Sequence, residues 1–290
     1  MKSTCRHFII VLLISAFTAC KKDKPVKMPD PPITPKVFSL TQVYQTGLES
    51  WYKSDTIFYT YDAQKRLTHI THIAYQFPAK TNVDFTYDDN RITSEVYDDG
   101  QNYQYTENYH YNAQGRVTSI DHINKYAFLP IGTKVLNTEI EHTDTFTYDT
   151  QGRIVLMDRH YPNIGLPPQN IHYNTTYEYN AQGLLTKSVT YTNQDAFNNT
   201  YITFTKFTDK LEFNAQALNY FFDFNMHPLV LAQLGRLPLS MRLYYSSDNL
   251  DHQGWEYDFT ITETRISHIH LTTKPTPAHP FIFDYNLSYQ

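Results

Sequence analysis

Most of the chain alternates apolar and polar residues with a period of two, which is typical of half-buried β-strands. The alternation is clearest at 281–289 (FIFDYNLSY), where every odd position is apolar. Shorter runs at 201–207, 241–245 and 255–261 follow the same rule. The only helix-like stretch lies between Leu218 and Leu234, where Pro228 suits a first helical residue and Gly235 a stop. The pattern predicts an all-β, antiparallel fold with at most one or two short helices.

Five segments repeat one strand-and-turn motif, and such self-similarity constrains the architecture before anything else. They are 59–67 (YTYDAQKRL), 85–92 (FTYDDNRI), 109–117 (YHYNAQGRV), 146–154 (FTYDTQGRI) and 177–185 (YEYNAQGLL). The two aromatic residues of each copy are two positions apart, so both rings project from one face of a strand. Each copy therefore predicts the end of one strand, a turn and the start of the next.

The residues after the aromatic pair predict the turn geometry. Asp or Asn opens a type I turn by accepting a hydrogen bond from the backbone two residues on. Gly115, Gly152 and Gly183 then fall where a bulged hairpin loop needs positive φ. Lys65 takes that place in the first copy at a cost of about 1 kcal/mol, and Asn90 takes it in the shorter second copy. We expect the following Arg, present in four copies, to stack on the Tyr across its own turn.

The spacing of the copies predicts how the hairpins assemble. The second aromatic residues are 26, 24, 37 and 31 positions apart, which leaves room for two strands per interval. A lone hairpin is marginal in water, whereas successive hairpins can share one aromatic face. We expect an antiparallel meander over a single domain at 37–290, with the repeats at 57–190. It forms one large curved sheet or an open barrel-like shell, and the pattern does not decide whether the sheet edges meet.

The first 36 residues have the pattern of an export signal and a tether. Lys2 and Arg6 precede an apolar run at 8–17 that is too short to span a bilayer, and Cys20 follows small residues. We expect 1–19 to be a cleaved lipoprotein signal and Cys20 the lipidated residue that joins the protein to a membrane. The lysine- and proline-rich segment 20–36 reads as an extended tether. The expected location is the outer membrane, facing the periplasm or the cell surface.

Charge and composition narrow the partners. Loss of 1–19 removes two positive charges, so the formal charge of −5 becomes −7. This balance argues against nucleic acid, which needs a basic face. Without Cys5, which lies in the signal, Cys20 is the one cysteine of the mature chain, so no disulfide is expected. No cofactor motif is present.

The repeated string Tyr-x-Tyr-Asp/Asn-x-x-Gly-Arg resembles the YD repeat of Rhs-type proteins, whose long arrays wind into hollow β shells. Five copies over about half of the mature chain are too few to enclose a cargo. With the lipidated cysteine and the proline-rich tether, the chain more closely resembles a group of Bacteroidota lipoproteins described as having a porin-like fold. The resemblance extends to the segment at 223–228 (DFNMHP). That group has no established activity, so the resemblance implies a fold and an envelope location but no active site.

Candidate site residues are few, and each has a plainer structural interpretation. His268 and His270 would point to one face of a strand and offer two zinc ligands if a third arrived from elsewhere, but solvated histidines on a polar strand face are the more typical interpretation, so no metal is expected. Trp51, Tyr52, Trp255 and Tyr257 are candidates for stacking on sugar rings, against simple cross-strand packing. Four acidic residues directly follow a Tyr, which indicates turn capping rather than calcium binding or catalysis. They are Asp62, Asp88, Asp149 and Asp258. The segment 97–100 (YDDG) indicates another turn.

These features favour a lipid-anchored, noncatalytic binding module for a glycan or an envelope partner. The alternative is a structural or scaffold protein of the cell surface, in which the rings pack only against one another. A hydrolase or a transmembrane β-barrel is the second alternative. A hydrolase would need clustered carboxylates in a cleft, and a transmembrane barrel would need a lipid-facing apolar row. The positions opposite the rings instead hold Thr60, Thr86, His110, Thr147 and Glu178.

Overall fold

The structure, a computed structural model, describes most of the chain from residue 37 onwards. The described residues are 37–46, 49–73, 80–100, 103–128, 134–136, 140–164, 169–193, 195–211, 213–219, 226–245, 251–262, 265–275 and 281–288. The expected signal at 1–19, Cys20 and the tether at 20–36 lie outside these ranges, so they stay predictions.

Eighteen strands and two short helices occur within the described residues. The first nine strands are β1 (Val37–Thr46), β2 (Glu49–Tyr61), β3 (Leu67–Ile73), β4 (Lys80–Asp88), β5 (Arg91–Asp98), β6 (Gln104–Tyr111), β7 (Val117–Asn124), β8 (Tyr126–Phe128) and β9 (Lys134–Leu136). The others are β10 (His142–Tyr148), β11 (Ile154–Ile164), β12 (Gln169–Tyr179), β13 (Leu185–Thr192), β14 (Asp195–Phe207), β15 (Pro238–Tyr245), β16 (Asp251–Thr262), β17 (Arg265–Pro275) and β18 (Phe281–Ser288). The helices are α1 (Ala215–Asn219) and α2 (Pro228–Leu234), and neither is long and apolar enough to cross a membrane.

Sixteen of these strands form one antiparallel sheet, in which nearly every strand pairs with the next along the chain. β7 pairs with β10, because β8 and β9 form a separate two-stranded sheet. β1 pairs with both β2 and β18, and Leu40 lies opposite Asp55 on one side and Tyr285 on the other. The all-β antiparallel meander of hairpins is therefore confirmed. The question that the sequence left open is answered by the β1–β18 pairing, which joins the sheet edges into a barrel.

The two faces of the sheet differ as strand alternation requires. In β10, His142, Asp144 and Phe146 are buried, whereas Thr145 and Thr147 between them are exposed. The first aromatic residue of every repeat is at most 9% exposed and belongs to one hydrophobic core, and the second packs against that core. The opposite face carries ion pairs such as His69–Asp84, His110–Asp121 and His172–Asp158. The face with the rings is hereafter the inner face, and the other is the outer face.

The repeat turns form largely as predicted. The side-chain oxygens of Asp62, Asn112, Asp149 and Asn180 each accept a bond of 2.9–3.0 Å from the backbone N–H two residues on. Gly115, Gly152 and Gly183 have φ of 76°, 81° and 76°, and Lys65 takes the same conformation at 61°. The expectation for Asn90 is wrong, because Asp89 has the positive φ, at 51°. Because one residue is missing, only two residues form the loop between the paired Asp88 and Arg91. In this two-residue loop the first residue adopts the positive φ.

The recurrent Arg stacks on a neighbouring copy and not on its own, which corrects the sequence expectation. Its guanidinium carbon lies 4.6–5.4 Å from the ring centroid of the Tyr in the next repeat. The pairs are Arg66–Tyr87, Arg91–Tyr111, Arg116–Tyr148 and Arg153–Tyr179. Each of these hydroxyls also donates a bond of 2.7–2.8 Å to the carbonyl of the residue after that Arg. The motif therefore links hairpins, and the fifth copy has Leu184 instead of Arg.

The two helices lie in the connection between β14 and β15 and pack against the inner face. α2 begins at Pro228 and ends before Gly235, whose φ is 55°, so both predicted boundaries are confirmed. The N-cap His227 accepts a bond from the Leu229 N–H through Nδ1. The Tyr59 hydroxyl donates to the Ala217 carbonyl of α1, and Gln233 of α2 bonds to the β10–β11 turn. The segment thus contributes buried side chains to the core near the repeat turns.

Candidate functional site

A row of six aromatic and imidazole rings crosses six consecutive strands of the sheet, from β5 to β12. Neighbouring ring centroids are 4.8, 4.5, 4.3, 4.6 and 5.8 Å apart. We call this set the inner aromatic row, and its members are Tyr97, Tyr105, His122, His142, Tyr161 and Tyr173. Directly opposed residues such as Tyr97 with Tyr105 and His122 with His142 have the close spacing that favours side-chain contact.

The same register brings two carboxyl groups together beside the row. Glu95 of β5 and Glu107 of β6 are direct cross-strand partners, and the Tyr109 hydroxyl lies 3.4 Å and 3.3 Å from their oxygens. Burial and the charge of Glu107 raise the pKa of Glu95 to about 8. Burial acts to raise the pKa of Glu107 too, but His122 bonds to it and lowers that pKa. At neutral pH one carboxyl therefore holds a proton and the other is ionised.

His122 lies between two carboxylates. Its Nδ1 is 3.4 Å from Glu107 Oε1, and its Nε2 is 3.6 Å from Glu141 Oε2. His142 stacks on His122 and is 7% exposed, and its Nδ1 has no hydrogen-bond partner. Burial, followed by the nearby charges of His122 and Arg159, lowers the pKa of His142 to about 4. His142 is therefore a neutral imidazole at physiological pH, and one of its ring nitrogens has no protein partner.

Glu95, Glu107, His122, Glu141 and His142 form a polar cluster, and an ion pair between β10 and β11 lies next to it. Arg159 donates to Asp144 through Nε at 2.7 Å and through Nη2 at 2.8 Å. Burial opposes ionisation of Asp144, but the bonds from Arg159 prevail and hold its pKa below the usual range. Asp144 is 4% exposed, and the two bonds hold the Arg159 guanidinium in one orientation on the inner face.

A cavity of about 240 Å³ opens beside this ion pair. Its lining combines one cation, two rings, one thioether and two hydroxyls, from Met157, Arg159, Tyr161, Tyr173, Thr175 and Thr190. Tyr173 is 40% exposed, and the hydroxyls of Thr175 and Thr190 are 2.9 Å apart. An exposed ring beside hydroxyls and a guanidinium is chemically suited to a small polar ligand with a ring.

The aromatic residues singled out from the sequence lie elsewhere. Trp51 and Tyr52 belong to β2 opposite Tyr44 and Val43, and their side chains are outside the described part. Trp255 packs against the core, and Tyr257 is 2% exposed with its ring 6.0 Å from Phe259. Neither of these two presents a fully open ring to solvent, and sugar binding by the four residues stays a prediction.

His268 and His270 alternate with the buried Ile269 of β17, so both lie on one face of that strand as expected, and this is the outer face. Within the described part of the chain, they do not join a third metal-ligating side chain. The group of three that the described residues do form consists of His122, Glu141 and His142. Asp258 is not in a turn as predicted, because it lies inside β16 opposite His270. By contrast, Asp98 and Asp99 accept backbone bonds from Gly100 and Tyr103, as predicted for a turn.

Sequence reasoning missed the polar cluster because its members are far apart in the chain. A signal does exist, since His122 follows Ile120 and Asp144 precedes Phe146 at the buried positions of their strands. A polar residue in the apolar register marks a buried polar site. These residues meet because β7 pairs with β10. That pairing could not be predicted from the sequence, because residues 125–141 separate the two strands.

The chain was compared with known families, curated proteins and solved structures. No known family and no curated protein matches it by sequence. It is similar to a porin-like protein from Bacteroides uniformis at 14% identity and a TM-score of 0.50, covering 90% of this chain and 98% of that chain. A porin-like protein from Bacteroides vulgatus gives 13% identity and a TM-score of 0.49, over 86% and 97%. A chain of the Photorhabdus luminescens Tc holotoxin pore gives 13% and 0.31, over 82% and 14%. The likeness to the Bacteroides uniformis protein shows a shared porin-like fold.

Proposed function

We propose that this protein is a lipid-anchored binding module of the cell envelope that takes a small polar ligand at the cavity beside Arg159. The observation that carries the proposal is the combination in one cavity of the exposed Tyr173 ring, the Arg159 guanidinium and two threonine hydroxyls. Ligand pockets are usually about 300–1,000 Å³. The cavity lies just below that range, which favours a single sugar ring or the end of a glycan over a large ligand.

The cavity is rigid on the side that would meet the ligand. Asp144 fixes the guanidinium of Arg159, and Tyr161 is held between His142 and Tyr173 in the inner aromatic row. Groups that are already held in place lose little conformational entropy when a ligand binds. A glycan fits this chemistry because its ring face stacks on Tyr while its hydroxyls bond to Thr and Arg.

The envelope location follows from the expected signal and Cys20, together with a polar outer face. Many described outer positions carry polar side chains, including the His69–Asp84 and His172–Asp158 pairs, and Phe58, Ile73 and Tyr191 are scattered among them. A transmembrane barrel would need apolar side chains along that face. We therefore favour a water-facing barrel tethered through Cys20 over the transmembrane alternative.

The glycan proposal is tested with the full-length protein purified in detergent on a glycan array. Tyr173→Ala removes the exposed ring, and we expect it to weaken binding at least about 10-fold, the loss typical of an aromatic anchor. Tyr191→Ala is the matched control, because Tyr191 is 38% exposed and lies opposite Asn174 on the other face. Binding to no glycan, or equal loss in both variants, would favour the structural scaffold alternative.

The anchor is tested separately by Cys20→Ala. We expect the variant to leave the membrane fraction and to lose labelling by a palmitate analogue, whereas Cys5→Ala retains both. A Cys20→Ala protein that stays membrane-bound contradicts the lipoprotein assignment without affecting the glycan proposal.

A hydrolase is the second candidate, and the Glu95–Glu107 pair is the observation in its favour. A protonated carboxyl beside an ionised one is the arrangement that general acid and base catalysis uses. The described cavity is not lined by either residue. Hydrolysis of a chromogenic glycoside that Glu95→Gln and Glu107→Gln both abolish would support the enzyme, and inactivity of the wild type on a broad panel would exclude it for those substrates.

A further inference from the structure

Three metal-ligating side chains converge at the end of the barrel opposite the repeat turns. His122 of β7, His142 of β10 and Glu141, which directly precedes β10, offer ligand atoms that all lie within 4.8 Å of one another. The backbone holds this arrangement, because His122 and His142 are cross-strand partners and the Glu141 N–H donates to the His122 carbonyl at 2.8 Å.

The first supporting feature is the orientation of His122. Its Nδ1 faces Glu107 at 3.4 Å, so Nε2 carries the lone pair towards Glu141, 3.6 Å away. Histidines that bind metals commonly donate their second ring N–H to a carboxylate, which fixes the tautomer and raises the basicity of the ligating nitrogen. Glu107 stands in that position.

The second feature is the unpaired nitrogen of His142. His142 is 7% exposed, and its buried Nδ1 has no hydrogen-bond partner. A buried polar atom without a partner costs free energy, of order 1–3 kcal/mol, and a ligand that fills the coordination position removes that cost. The other ring face is held by Tyr161, whose centroid is 4.6 Å away.

We propose that His122, Glu141 and His142 bind one divalent transition-metal ion, with zinc the best match. Two imidazoles and one carboxylate form a ligand set that zinc accepts, whereas calcium and magnesium prefer oxygen alone. Zinc bonds of about 2.0–2.2 Å at a tetrahedral angle place ligand atoms roughly 3.3 Å apart. The His122–Glu141 distance already approaches this value, and Glu141, whose side chain is 36% exposed, has room to rotate. Three protein ligands leave a fourth position for water or a ligand group.

The experiment uses the full-length protein, purified in detergent and stripped of metal with a chelator. Titration with Co²⁺ followed by visible absorption, and then displacement by Zn²⁺, measures stoichiometry and affinity. We expect one equivalent to bind. His142→Phe, which keeps a ring in the row, and His122→Phe should each weaken binding about 100-fold or more, and Glu107→Gln about 10–100-fold.

His110→Phe is the matched control, because His110 lies on the outer face of β6, paired with Asp121, and should leave affinity unchanged. Glu141→Gln keeps the test valid if a histidine variant does not fold, because it changes one partly exposed group. We expect this variant to bind the metal at least about 10-fold more weakly. No binding by the wild type overturns the proposal. Equal binding by wild type, Glu141→Gln and any histidine variant that folds also overturns it, because the ion then sits elsewhere.

Discussion

The repeat-turn end of the barrel and the opposite end are made from the same strands but satisfy their polar groups differently. At the turns, the Tyr hydroxyls of four copies donate to backbone carbonyls, and the Asp or Asn of four copies caps its own loop. At the opposite end, carboxyls, imidazoles and a guanidinium contact one another inside the sheet. Repetition therefore builds the frame, and the candidate site lies where the repetition ends.

The cost of the two arrangements differs as well. Three buried polar atoms without a hydrogen-bond partner, Asn124 Oδ1, His142 Nδ1 and His160 Nε2, lie away from the turns. Natural proteins tend to retain such costly groups where function needs them. The difference teaches that the repeated motif of this chain is structural, while most residues of the candidate site lie outside the motif. The following changes test that division.

The largest effect is expected for Asp144→Ala, which leaves the Arg159 guanidinium without its partner. We expect a loss of about 2–4 kcal/mol in unfolding free energy, below the value for a fully buried pair because the Arg159 side chain is about one-third exposed. Chemical denaturation of the purified protein measures it. Asp158→Ala removes an outer-face partner of His172 and should cost under about 1 kcal/mol. Equal losses would contradict the contrast between the two faces.

Glu95→Gln should change how stability depends on pH. The folded-state pKa of Glu95 is raised from 4.5 to about 8, so wild-type stability falls as pH rises through that window and the penalty is complete above it. Gln cannot ionise, so we expect the variant to exceed wild type by about 1–3 kcal/mol at pH 9 and to match it near pH 4. Urea unfolding at both values measures the difference. The exposed Glu178→Gln should show no such trend, and a flat wild-type profile would contradict the buried pair.

At the turn end, Lys65→Gly should stabilise the protein by about 1 kcal/mol, because Lys65 holds a φ of 61° that glycine adopts without strain. Thermal unfolding measures the gain. The reverse change, Gly115→Lys, places a side chain where a Cβ meets nothing within 4 Å, so its cost should come from φ alone and be of similar size. A loss of stability in Lys65→Gly would mean that the lysine side chain contributes more than its backbone costs.

The smallest effect is expected for Arg116→Met, which removes the guanidinium from the Tyr148 ring while keeping much of the side-chain length. The guanidinium lies 5.4 Å from the ring centroid, and Asn112 at its own turn offers it no carboxylate, so we expect a loss of about 0.5–1 kcal/mol. A double-mutant cycle with Tyr148→Leu measures the coupling. Coupling of Arg116 to Tyr111, the Tyr of its own copy, would restore the original expectation.

Local residue patterns were sufficient for the frame. The alternation at Phe146 and Tyr148, the Asp149 cap and the positive φ of Gly152 all depend on residues close in sequence, and each was predictable. The same holds for α2, because Pro228 and Gly235 act on adjacent backbone. The prediction for the second turn was wrong at Asn90, because the deletion of one residue changes the loop class. The positive φ then falls on Asp89.

The candidate site depended on strand order instead. His122 and His142 are separated by twenty positions and by the β8–β9 hairpin, and they meet because β7 skips to β10. Arg116 likewise reaches Tyr148 of the next copy through the same pairing. The sequence by itself determined which residues turn inward, since a strand has a fixed period of two. Only the tertiary structure decided which inward residues touch, because cross-strand contact depends on pairing and register between distant segments.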